Sequence, residues 1–138
     1  MRRVGLLIIL LSLPTMAALA QQPAPDQAID RGVGDFVATV RRDSLADVTR
    51  KIDDCWEQLA RAPRDLQRAI YCSAFNFAAE EFDKRASSTF GAGKTISIDD
   101  ARVHARRALS AAGISPTSAA GIIELVRQKS IAAISQHF

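Results

Sequence analysis

Residues 55–72 read CWEQLARAPRDLQRAIYC, and they hold the only two cysteines in the chain. Pro63 sits near the middle, eight positions after Cys55 and nine before Cys72. Proline breaks a helix but suits the first turn of a new one, where its missing amide proton would be unpaired anyway. Apolar residues recur at helical spacing on both sides. The segment therefore reads as an antiparallel helical hairpin whose cysteines lie level with each other, and a Cys55–Cys72 disulfide is expected.

Upstream, Ser44 followed by Asp47 resembles a capping box, and Leu45, Val48, Ile52, Cys55, Trp56 and Leu59 then fall on one narrow arc. An earlier helix is marked by Ile29, Val33, Phe36, Val37 and Val40, and the period nearly runs on, so one bent helix or two separate ones fit equally well. Downstream, a third helix is expected from about Pro63 to Phe82. Its apolar residues Leu66, Ile70, Tyr71, Ala74, Phe75, Phe77, Ala78 and Phe82 cover more than half its circumference, the pattern of a helix contacted from several sides.

Ala86 to Thr95, rich in Ser, Thr and Gly, is expected to be a loop. Ser97 and Asp100 repeat the capping pattern and open a fourth helix ending at Gly113, with Ile98, Ala101, Ala105, Ala108, Leu109 and Ala112 on one face, expected to meet the next helix. Ser115 and Pro116 start a fifth, with the stripe Ala119, Ile122, Ile123, Val126, Ala133 and Ile134. Sustained strand alternation is absent. The fold class is an all-α bundle of four or five helices in a single domain, residues 21–138.

Residues 1–20 read as a cleaved signal peptide. Arg2 and Arg3 precede an apolar run, Val4 to Leu13, then Pro14, and Ala18 and Ala20 supply the small residues before a cut at Gln21. The run is shorter than the roughly 20 residues that span a bilayer, so no stable membrane anchor is expected after cleavage. A periplasmic or secreted protein follows, in a compartment that permits disulfides. Arginine outnumbers lysine 14 to 4, a usage common in GC-rich bacteria, which makes a Gram-negative envelope the preferred setting.

With Arg2 and Arg3 set aside, sixteen basic residues face fifteen acidic ones, a net charge of +1. A nucleic-acid binder needs a marked basic excess on one face, and none is expected as a partner. Gly93, Lys94 and Thr95 imitate the end of a phosphate-binding loop, but Ser88 stands where its first glycine belongs, so no nucleotide is expected. Both methionines lie in residues 1–20, which removes thioether ligation of copper or haem, and the cysteine spacing matches no redox, metal or haem motif. No cofactor is expected.

Asp53, Asp54, Glu57, Glu80, Glu81 and Asp83 read as salt-bridged surface, with Glu80–Lys84 and Glu81–Arg85 in the favoured i, i+4 order. Asp100 and His104 share that spacing and are the one pair suited to metal or acid-base chemistry. The leading functional reading is a non-enzymatic protein that binds another envelope or secreted protein, such as an inhibitor, an immunity factor, a chaperone or an adaptor. A carrier of an apolar small molecule, in a pocket lined by Trp56, Tyr71, Phe75, Phe77 and Phe82 between helices two, three and five, is the alternative. An enzyme using Asp100 and His104 is third.

Overall fold

The computed structural model describes residues 25–91 and 98–138, and the expected signal peptide at 1–20, the phosphate-loop imitation at 93–95 and the expected Ser97 cap lie outside them. Five helices follow in order: α1 Pro25–Arg42, α2 Leu45–Arg61, α3 Leu66–Phe90, α4 Ile98–Ala111 and α5 Pro116–His137. The protein is all-α, and Cys55 and Cys72 form its disulfide, with Cα atoms 5.8 Å apart.

α1 and α2 are separate helices. Ser44 is extended, its hydroxyl accepts from the Asp47 amide at 3.3 Å, and the Asp47 carboxylate accepts from the Ser44 amide at 3.0 Å. This reciprocal cap meets the orphan donors of a new helix and halts the period that runs through from α1.

α3 differs from the sequence expectation at both ends. It begins at Leu66, not near Pro63, because the Asp65 carboxylate accepts the Arg68 amide at 2.9 Å and so fixes the cap there, leaving Pro63 in the turn. It also runs past Ala86 to Phe90. Within this last stretch the Ser88 and Thr89 hydroxyls are satisfied on the helix itself, donating to the Arg85 carbonyl at 2.7 and 3.0 Å. Gly91, at φ 68°, then ends it in the left-handed conformation that glycine reaches without penalty.

As its apolar breadth implies, α3 is the central helix: every residue from Cys72 to Glu80 is buried, and each of the other four helices packs on it. α1 comes closest. A Cβ placed on Gly32 would lie 2.6 Å from the Tyr71 carbonyl oxygen and 2.9 Å from the Ala74 Cβ, so the two backbones meet where α1 has no side chain. Phe36 packs edge-on against Phe75 and Phe82, with centroids 5.7 and 5.8 Å apart.

α4 packs more extensively on α3 than on α5, because its buried Ala101, Ala105 and Ala108 let the central helix come close. The Gly113 turn, at φ 87°, nevertheless brings α5 back beside it. Ser130 of α5 is fully buried and donates to the Ala74 carbonyl at 3.3 Å, a polar contact that the apolar stripe did not mark.

Central burial also corrects the reading of two acids. Glu80 and Asp83 are 4% and 3% exposed, not surface groups, because they lie where neighbouring helices cover α3, while Lys84 beside them stays exposed. Glu81 does pair with Arg85, at 2.7 Å.

α2 is the outlier. It buries only Val48, Ile52 and Leu59, and the disulfide joins it to the core. No described helix is long and apolar enough to cross a membrane.

Candidate functional site

A cleft of about 710 Å³ opens between α1, α2 and the first half of α3. Each helix contributes one stripe at helical spacing: Arg31, Asp35 and Thr39 from α1, Lys51, Asp54, Cys55 and Gln58 from α2, and Arg68, Tyr71 and Phe75 from α3. The close approach at Gly32 sets the α1 wall, and the disulfide sets the α2 wall.

Several side chains are held across the cleft. Tyr71 donates its hydroxyl to Asp35 at 2.8 Å, Lys51 donates to Thr39 at 2.9 Å, and Arg68 donates to Gln58 at 2.6 Å. Arg31 and Asp54 are exposed and make no hydrogen bond or ion pair among the described residues. The result is a preorganised surface carrying both signs of charge, with two ionic groups left to meet something else.

Burial, followed by the hydrogen bond to the Asp35 carboxylate, pushes the Tyr71 phenol up to about 12 from an ordinary 10.0. The folded state thus holds this proton more tightly than the unfolded chain. The stabilisation is complete below pH 10 and is lost as pH rises towards 12. Tyr71 is the only tyrosine, so phenolate absorbance should show one late transition near pH 12, and Asp35→Asn should move it back towards 10. A wild-type transition at 10 would mean that the contact does not persist in solution.

The aromatic residues do not converge on one cavity. Tyr71 and Phe75 line the cleft. Phe77 is buried in the core, and Phe82 is half-buried against Phe36 and Phe138. Trp56 faces another way, towards α4, where its ring stacks on His104 with centroids 5.2 Å apart and planes 19° apart. His104 therefore meets Trp56 across the helices, while Asp100 is exposed on α4. Among the described residues no three His, Cys, Asp or Glu side chains gather as a metal-ligating group.

The residues that matter most for the cleft, Arg31, Asp35, Lys51, Gln58 and Arg68, escaped the sequence reading, which followed apolar stripes. The i, i+4 spacing of Arg31 with Asp35 and the i, i+7 spacing of Lys51 with Gln58 are visible in the sequence, as is a glycine at 32 inside a helix that would otherwise favour alanine.

Fold and site together define a small five-helix protein, braced by one disulfide, with a charged cleft beside its least buried helix. Comparison with protein families, with characterised proteins and with solved structures finds no match to this chain.

Proposed function

We propose that this is an exported, non-enzymatic protein of the bacterial envelope that acts by binding another envelope or secreted protein, with the cleft beside α2 as its contact surface. One observation carries the reading. The cleft presents Arg31, Arg42, Lys51 and Arg68 against Asp35, Asp54 and Asp65, the mixed charge that a folded polypeptide surface can complement and an apolar molecule cannot.

An apolar carrier needs mostly apolar walls, and here only Phe75, Cys55 and the Tyr71 ring provide them. Periplasmic or secreted localisation is supported by the disulfide, which oxidising compartments sustain, and by the reading of residues 1–20 as a signal. An inhibitor, an immunity factor, a chaperone or an adaptor would each use such a surface.

The test exchanges two cleft charges, Arg31→Glu with Asp54→Lys, which leaves the net charge unchanged. The pair should release a co-purifying polypeptide without unfolding the bundle. A complex that survives the exchange would remove the cleft from the binding surface.

A further inference from the structure

A second, smaller cavity of about 180 Å³ lies on the α4 side of α2, walled by Trp56, Leu59, Pro63, His104, Arg107 and Ala108. Its size and chemistry differ from those of the charged cleft. Pockets for drug-sized ligands run from about 300 Å³ upward, whereas about 150 Å³ accommodates a single benzene ring. The volume suits one side chain.

The charge on the lining shows what accompanies that side chain. No carboxylate lines the cavity, and its one guanidinium, Arg107, is exposed and makes no ion pair among the described residues. The Trp56 indole nitrogen is shielded from water and has no hydrogen-bond partner among the described residues. A shielded donor left unpaired costs about 1–3 kcal/mol, and half-buried tryptophans normally find an acceptor. His104, whose ring stacks on this indole, is an exposed side chain and not part of the core.

From this we infer that the cavity anchors one apolar side chain of a partner polypeptide, of leucine size, with an acidic residue next to it. The leucine fills the apolar walls. The neighbouring carboxylate meets Arg107, the guanidinium at the cavity's edge. Interface energy concentrates in a few groups packed into small, water-excluded pockets. The inference rests on the protein-binding reading and adds the chemistry of the partner's contact.

Trp56 is the only tryptophan, so the intact, oxidised protein reports on this cavity through its own fluorescence. The probes are the blocked tripeptides acetyl-Leu-Asp-Gly-amide and acetyl-Leu-Lys-Gly-amide. The acidic peptide should give a saturable change in emission at millimolar concentration, and the basic one should bind about ten-fold more weakly. Arg107→Glu should reverse that order, and Ala60→Leu, which adds bulk to a lining residue exposed on α2, should abolish both signals while leaving the melting temperature in place.

A response equal for both peptides, or one that survives Ala60→Leu in the folded variant, overturns the inference, as does no saturable change at all. If that happens while exchanging the cleft charges still releases a polypeptide, the pocket is discarded and the protein-binding reading stands. If the exchange also has no effect, both fall.

Discussion

Replacing Cys55 and Cys72 together by alanine should lower the stability of the protein by about 3 kcal/mol, the effect expected from opening a loop of this length in the unfolded chain. The two cysteines are 17 positions apart. For a domain of about 5–15 kcal/mol total stability this is a large share, and the melting temperature should fall by roughly 10–15 °C.

The loss should not be uniform. α2 buries only three side chains, so without the covalent tie it is the helix that opens first. Amide exchange along Leu45–Arg61 should accelerate more than exchange in α3, and adding reductant to the wild type should reproduce the effect. A melting temperature within about 2 °C of wild type, measured oxidised, would show that packing alone holds α2 in place.

The second large effect sets two glycines of one helix against each other. Intrinsic propensity alone says that glycine to alanine inside a helix stabilises by up to about 1 kcal/mol. At Gly34, where an added Cβ meets nothing within 4 Å, that gain should appear. At Gly32 the same methyl meets the α3 backbone, the Tyr71 carbonyl and the Phe75 nitrogen at 2.6 and 3.1 Å.

Backbone cannot swing away as a flexible side chain can, so α1 must shift as a whole, and Gly32→Ala should cost about 2 kcal/mol net. Chemical denaturation of the two variants measures the difference directly. Equal and favourable shifts in both would mean that α1 and α3 do not cross as closely as the structure shows. The shift forced on α1 would also move Asp35 away from Tyr71, so Gly32→Ala should partly restore the ordinary phenol titration.

Much of the architecture is legible in the chain because it depends on local rules. The level placement of Cys55 and Cys72 follows from the Pro63 turn, the start of α2 from Ser44 and Asp47, and the central role of α3 from an apolar pattern too broad for one face. What could not be read is decided by packing between distant segments. Nothing local distinguishes Glu80 and Asp83 from surface acids, since their burial depends on helices arriving from elsewhere in the chain. Likewise α3 outlasts its apolar run through Ser88 and Thr89, whose hydroxyls bond back to the Arg85 carbonyl here and are equally at home in a loop, so composition alone does not tell the two apart.

The cleft was hidden for a related reason. Polar residues at helical spacing signify a solvated face in most helices, and only the three-helix arrangement turns those of α1, α2 and α3 towards each other. The pairing of Trp56 with His104, 48 positions later in the sequence, is a contact of the same kind.

The most direct test is a native mass spectrum of the protein taken from the periplasm without reductant, beside the Arg31→Glu, Asp54→Lys double variant. The wild type should appear as a chain starting at Gln21, lighter by two hydrogens for the disulfide, in complex with a second polypeptide at fixed stoichiometry. The double variant should show the same chain alone. A wild-type chain carrying a small apolar adduct in place of a polypeptide, or one that still begins with residues 1–20, would contradict the account.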